Sequence, residues 1–508
     1  MVDSGSTDRS EFDLVGYVKS YRPFAPDQIY LLPPSPRDWL PTGHLAYFVL
    51  DLVRELDLSD IERPLQAKDA RGERAYSPTM MVSLVLYAYS TGVFSSRRIE
   101  RATVEDIAFR FLSAGEHPHF TTINGFRGSH REALANLFVQ VLQSCMSAGL
   151  VKLGHVAIDG TKMKANASKH KAMSFDRMVK DDVRIRAEVE ALLARADETD
   201  AAEDVEEGTF DPQEEIRLRE ERLKKMAEVR EALRRETAAK RAARLEEQAA
   251  ELREKATLPS TAPRDQKGFV TLAAIRDQKA KKLKPSPSDD PDDDDSDDDL
   301  PRHTPPSTPD GEPKPNAQRN FTDPQSRIMF RDGSFLQAYN AQIAVDEEHQ
   351  IIVAAALSNQ GPDTEYFDPM LRRVVDNCGV PSRVTADAGY FSPSNVKLAE
   401  SMGTEPFIAT GGQRRDGAPD EESRPIAARG TTAQQMNALL QTKAGHSAYA
   451  KRKSTVEPVF GQIKSCRGYR QVSFRGLLKS RCEWLLVCAT HNLLKLWRSV
   501  VGQQLLTA

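Results

Sequence analysis

FLQAYNAQIAVD (335–346) and HQIIVAAALSN (349–359) are two apolar runs rich in small and β-branched residues, separated by the acidic turn Asp346-Glu-Glu-His349. Each has the length of a strand and neither contains proline, so together they read as an antiparallel pair. On the carboxy-terminal side, DTEYFDPMLRRVVDNC (363–378) is a helix with Asp363 as its N-cap. RVTADAGYFS (383–392) is a strand that stops at Asp-Ala-Gly, SPSNVKLAESMG (392–403) a helix ending at glycine, and EPFIAT (405–410) a short strand. A Gly/Arg/Ala/Gln-rich insert (411–448) precedes two closing helices, STVEPVFGQIKS (454–465) and LLKSRCEWLLVCATHNLLKLWR (477–498). On the amino-terminal side, GHVAIDGTKMKA (154–165) is a β-type apolar run ending in Asp-Gly. The expected fold class is therefore α/β: a mixed five-stranded sheet flanked by helices, built from residues 151–175 and 321–500.

The remainder is helical or polar. Leu45, Phe48, Val49, Leu52, Val53 and Leu56 recur at helical spacing, and Met80–Tyr89 is a nearly all-apolar helix. SSRRIERA (95–102), VEDIAFRFL (104–112) and an amphipathic helix over 121–143 complete a helical amino-terminal domain, 21–150, behind a disordered tail, 1–20. Residues 176–256 form a charged helical insert, with Glu-to-Lys/Arg pairs four apart such as Glu220/Lys224 and Glu231/Arg235. Its thin apolar stripe (Leu218, Leu223, Met226, Val229, Leu233, Leu245, Leu252) breaks midway, which favours a solvated helix or helical hairpin over a sustained coiled coil. Residues 257–320, rich in Pro, Ser and Asp, read as a disordered linker.

With 508 residues, the chain exceeds one ordinary core, at ~100–200 residues per domain. The hydrophobic fraction of 39% suffices for a core, while the mean hydropathy of -0.52 reflects the polar stretches. No run reaches the roughly 18 apolar residues of a membrane span. Five scattered cysteines without a CxxC pair argue against a disulfide scaffold and common zinc fingers, and fit a reducing, cytoplasmic compartment. The net charge of -4 hides segregation: residues 289–299 hold nine aspartates, without which the net becomes +5. The segment Tyr449 to Arg481 carries nine Lys/Arg against the single acid Glu457.

Three acids stand out by position. Asp159 and Asp387 each end a strand, and Glu457 lies in the first turn of an expected helix amid basic residues. Alone, each has a plain reading: the aspartates as turn residues, the glutamate as a complement to the helix dipole. Their joint placement carries more. The element order is ribonuclease H-like, and there the first and fourth strands lie side by side, so acids at their ends meet and a crossing helix adds a third. Three hard oxygen donors suit Mg²⁺ or Mn²⁺, and two such ions ~3.5–4 Å apart activate a nucleophile and stabilise the leaving oxygen of a phosphodiester.

DGTKMKANASKHKAM, DPQSRIM with YNAQIAVD, TADAGYFS and VEPVFGQIKSCRGYRQVSFRG resemble the bacterial insertion-sequence DDE transposases. The resemblance spans about 20–145, the first-aspartate block and 323–498, and leaves out the insert between about 176 and 320. It implies a ribonuclease H-like core, a catalytic triad of Asp159, Asp387 and Glu457 that holds a divalent metal, and as substrates the element's own terminal inverted repeats and target DNA. The family's Tyr-x2-Arg-x3-Glu-x6-Lys pattern is matched by Glu457-x6-Lys464 and internally by Tyr449-x2-Arg452, but Lys453 occupies the expected arginine place. Lys464, nearly two turns beyond Glu457, is placed to hold a phosphate.

Tyr449, Arg452, Lys453, Lys464, Arg467, Arg470 and Arg475 are accordingly DNA-binding candidates in the carboxy-terminal segment, where basic residues alternate with aromatics. Arg97 and Arg98, with Arg101, Arg127 and Arg131, are candidates for a helix-turn-helix-like reader in the amino-terminal domain, or for a plain solvated face. His491 reads as a core hydrogen-bonder, and His117/His119 as loop residues. The expected function is metal-dependent cleavage at inverted repeats and strand transfer, by a homodimer on double-stranded DNA, cytoplasmic and associated with the nucleoid. The alternative is an inactive or repurposed DNA-binding descendant.

Overall fold

The computed structural model describes residues 35–66, 75–200, 212–258, 262–284, 299–411 and 431–507. The expected tail (1–20) and nearly all of the aspartate tract lie outside these residues.

The central sheet contains β1 (Val156–Lys164), β2 (Ser334–Asp346), β3 (Ile352–Ser358), β4 (Arg383–Ala386) and β5 (Glu405–Ile408). Their order across the sheet is β3–β2–β1–β4–β5; β2 runs antiparallel to both β1 and β3, and β4 runs parallel to β1 and β5. This mixed sheet with flanking helices is compatible with a ribonuclease H-like core. Every residue of β3 is buried, and its alanines let helices approach closely. Trp484 of the Leu477–Thr507 helix donates to Gln342 O at 3.2 Å, and Asn492 bonds both backbone groups of Ile352 at 2.8 Å. His491 Nε2 lies 2.9 Å from Gln350 O, the core role expected of it.

The sheet has six strands rather than five. Arg327–Arg331 pairs with the first residues of β2 across Asp332-Gly333, whose φ values of 50° and 76° suit a two-residue hairpin turn. β2 has 13 residues and extends beyond the end of β3, leaving an edge opposite β1 that this strand covers.

The helical region shares the core of the sheet: one buried cluster runs from Leu45 to Leu496. The helix expected over 121–143 is two helices, Phe120–Ser129 and Arg131–Ser147, broken at His130. There Ser129 Oγ bonds back to Gly125 O at 2.8 Å, competing with the helical ladder. Arg127, considered for a DNA reader, is instead buried: its guanidinium lies 3.1 Å from Glu483 of the carboxy-terminal helix, beside Tyr89.

The insert is better packed than its composition suggests. Phe175–Asp200, Pro212–Thr257 and Pro263–Leu283 are helices. The broken stripe on the long helix serves two partners. Met226 packs with Ile185 and Val189, whereas Leu245 packs with Ala280 and Leu252 with Ala273. Disorder over 257–320 is thus corrected where residues are described: 263–283 is helical because its alanines meet those of the long helix, and Gln318–Asn320 pairs with Ala172–Ser174. Similarly, part of the expected 411–448 insert is helical: Thr431 and Gln434 form a capping box for Thr432–Gln441.

Glu236 docks the long helix on the core, 2.8 Å from Arg319 and 2.7 Å from Arg327. Burial pushes its carboxyl up, but Arg327, Arg319 and Lys240 outweigh this and hold it below the usual carboxylate range. Its contribution is therefore complete above that range and lost as pH falls through the depressed value. Glu236→Gln removes the carboxylate charge that faces the largely buried Arg319 and Arg327 and is expected to cost up to about 3–5 kcal/mol locally. Faster amide exchange along Pro212–Thr257, with β1–β5 unchanged, is the expected reading; equal exchange in both proteins would remove Glu236 from docking.

Candidate active site

The site starts from strand pairing. Val156 and Ala157 of β1 face Val384 and Thr385 of β4 in parallel register, so continuing three residues along each strand brings Asp159 beside Asp387. Asp159 Oδ1 accepts from Gly160 N and Asp387 Oδ1 from Gly389 N, both at 2.8 Å. Asp387 thus keeps its turn role, whereas Asp159, expected to end a strand, lies within β1, which runs on through Gly160 to Lys164. Burial pushes the Asp159 carboxyl up to about 6; Arg452 opposes the rise, and the charge of Asp387 adds to it.

Arg452 supplies the positive charge. It projects from the Lys443–Gly461 helix and places Nη1 2.8 Å from Asp159 Oδ2, while its guanidinium lies over the Tyr449 ring at 5.8 Å. Both side chains expected from the sequence thus reach the site. Lys453 is exposed. Glu457, five residues after Arg452 and about 140° farther round a regular helix, is exposed as well. Among the described residues, no group of three His, Cys, Asp or Glu side chains is gathered closely enough to hold a metal. The structure therefore joins Asp159, Asp387 and Arg452, and does not gather Glu457 into a three-carboxylate cluster with them.

The helix continues into a wider turn, Gln462–Cys466, which carries Lys464 to the sheet. Lys464 Nζ bonds Thr161 Oγ1, two residues beyond Asp159 on the same strand face. Burial, with help from Arg331, lowers the ammonium pKa to about 8. Arg470 and Arg475 are exposed, and donate through Nε to Lys464 O at 3.1 Å and Asn166 O at 3.2 Å. Arg467 is a correction. Its guanidinium is buried against Thr490 Oγ1 (2.7 Å) and Val487 O, so it braces the carboxy-terminal helix and presents no charge to a phosphate. Arg97 and Arg98 are exposed; they border a cleft with Phe94, Phe120 and Ser473, which joins the helical region to the basic segment.

Asp363 is a second correction. Its side chain makes no cap hydrogen bond; the helix Phe367–Cys378 starts after a tight turn, Thr364–Tyr366. Oδ1 of Asp363 instead accepts from Lys162 Nζ (2.9 Å), Asn340 Nδ2 (2.7 Å) and Gln342 Nε2 (3.0 Å). The signal was two amides, Asn340 and Gln342, on one face of a strand otherwise too apolar to carry them without partners.

Two carboxylates on adjacent parallel strands, one within β1 and one just beyond β4, stand beside cationic side chains. Residues 307–493 match the transposase DDE domain, and residues 34–129 match a transposase domain (DUF772). The DDE domain implies a polynucleotidyl transferase or endonuclease, and the two matches together support an insertion-sequence DDE transposase. The DDE match includes Asp387 and Glu457, whereas Asp159 precedes it. Neither a curated protein nor a solved structure matches the chain. No helix among the described residues is long and apolar enough to cross a membrane.

Proposed function

We propose that the protein cleaves double-stranded DNA at the terminal inverted repeats of its own element and joins the freed 3′-OH to target DNA. The supporting observation is the pairing of Asp159 with Asp387 beside Arg452. Two close acids, one largely buried, call for positive charge, and hard oxygen donors of this kind fit Mg²⁺ or Mn²⁺. Asp159 and Asp387 would hold the metal, two ions in the proposed reaction, and Glu457 is the proposed third ligand although it stands apart from them here. When bound, the ions would polarise the scissile phosphate and favour in-line attack by water and then by the 3′-OH.

The chain's cations have a separate task. Arg452, freed from Asp159 by the metal, and Lys464 hold phosphates beside the reacting one, while Lys453, Arg470, Arg475, Arg97 and Arg98 contact the backbone farther away. Synapsis of two ends calls for at least a homodimer on DNA, in the nucleoid. Lys464→Ala is expected to weaken binding and make the salt dependence shallower by roughly one unit of log–log slope. A slope equal to the parental one would leave Lys464 as a structural partner of Thr161.

The deciding assay uses a duplex carrying the element's own ends, with Mg²⁺, Mn²⁺ or EDTA. Cleavage with metal and none with EDTA supports the proposal. Tight binding with no cleavage in either metal would favour a repurposed DNA-binding protein, a reading to which the separate position of Glu457 lends support.

A further inference from the structure

Beside the two aspartates lies a layer of hydrogen-bonded side chains. Tyr390, three residues after Asp387, is fully buried, and its hydroxyl donates to Gln342 Oε1. Gln342 Nε2 donates to Asn340 Oδ1 and to Asp363 Oδ1, both at 3.0 Å. Asp363 is anchored in turn by Lys162 of β1.

This layer touches the backbone on either side of the site. Gly160, directly after Asp159, leaves the space that Gln342 occupies: a Cβ there would overlap the Gln342 amide and lie 3.0 Å from the Tyr390 hydroxyl. On the other side, the turn that follows Asp387 is fastened twice more. Thr364 Oγ1 donates to Gly389 O at 2.7 Å, and Asn395 Nδ2 donates to Tyr390 O at 2.8 Å. At Gly389 a Cβ would approach Asp387 Oδ1 to 3.0 Å and Asp363 Oδ2 to 3.6 Å, so the anchor and the site acid border the same glycine.

We propose that Tyr390 and Gln342, anchored on Asp363, are positioning residues that set the separation of Asp159 and Asp387. The inference rests on the proposed metal-holding role of these two acids. Its physical basis is stiffness. Asp387 stands beyond the end of β4, where no strand ladder fixes it, and Tyr390 links its turn to Gln342 of β2, the residue paired with Gly160 of β1. Ion pairs of ligands demand a set spacing, and groups that orient ligands commonly govern metal affinity by roughly 10–100-fold.

The test uses the full-length protein and Mn²⁺ alone as probe, titrated by electron paramagnetic resonance well below the unfolding temperature. Tyr390→Phe keeps the ring and removes the link; Gln342→Met keeps the length and removes both polar ends. Each is expected to bind Mn²⁺ roughly tenfold more weakly while binding to terminal DNA stays within about twofold. The Mg²⁺ concentration for half-maximal cleavage should rise in step. Mn²⁺ affinity within about twofold of the parent in both folded variants would overturn the inference and leave the proposed function intact. A parental protein that binds no Mn²⁺ would overturn both. Parental binding of Mn²⁺ without cleavage would overturn the proposed chemistry alone, because the affinity comparison still decides the positioning role.

Discussion

Asp387→Asn is expected to lower cleavage by roughly 10²–10³-fold or more while terminal DNA is bound almost as tightly as by the parent. The amide matches the carboxylate in size and still offers an oxygen to Gly389 N, so the turn at 388–390 keeps its hydrogen bond. What disappears is the charge that, with Asp159, attracts the cation. Each factor of ten is about 1.4 kcal/mol of barrier, so the loss falls on the reacting phosphate, whereas affinity for DNA resides in many Lys/Arg contacts spread over the surface. Single-turnover cleavage beside a binding titration separates the two. Parental cleavage by Asp387→Asn would reduce Asp387 to a turn residue.

The largest expected loss of stability comes from Glu483→Gln. Glu483 is buried in the carboxy-terminal helix, and its oxygens accept from Arg127 (3.1 Å), Tyr89 (2.8 Å) and Ser473 N (2.7 Å). Neutralising it leaves the Arg127 guanidinium buried without a counter-ion, a change that typically costs about 3–5 kcal/mol. The midpoint of denaturant unfolding should fall accordingly. Replacing both partners, as Arg127→Met with Glu483→Met, removes the stranded charge and should recover part of the loss. If the double variant is no more stable than Glu483→Gln, the damage comes from Tyr89 and Ser473 rather than from the unpaired cation.

Much of this architecture follows from local pattern. The strands at 335–346 and 349–359 announce themselves through apolar composition and a polar turn, and the sheet order follows from the alternation of elements after them. The convergence of Asp159 and Asp387 is a topological consequence, available once β1 and β4 are recognised as neighbours. Other features depend on partners far away in the chain. Arg467 has the composition of a phosphate contact, and only its enclosure by Val487 and Thr490 shows otherwise. Asp363 sits where caps usually occur, and what claims it instead is a lysine and two amides from distant strands. The helix Pro263–Leu283 lies in a Pro/Ser/Asp-rich window whose average masks its alanines. The hairpin at Asp332-Gly333 did carry a local signal, a turn dipeptide between β-forming residues.

The distance along the chain between β1 and β2 shapes how the protein is made. Residues 165–333 separate two strands that pair over their whole common length. Closing so long a connection costs about 3 kcal/mol more than closing a tight hairpin, if the connection is a featureless coil. The ladder between Ala172–Ser174 and Gln318–Asn320 changes that calculation, because it ties the two ends of the insert together at their neck. Once the neck has formed, only residues 165–171 on one side and 321–333 on the other still have to close. The helical insert precedes β2 in the chain and packs through largely local contacts, so its neck is expected to form early and to hold β1 near the strand that follows. Any product of interrupted translation that ends within it carries Asp159 without Asp387, so the proposed site is complete only in a chain that extends well past the insert.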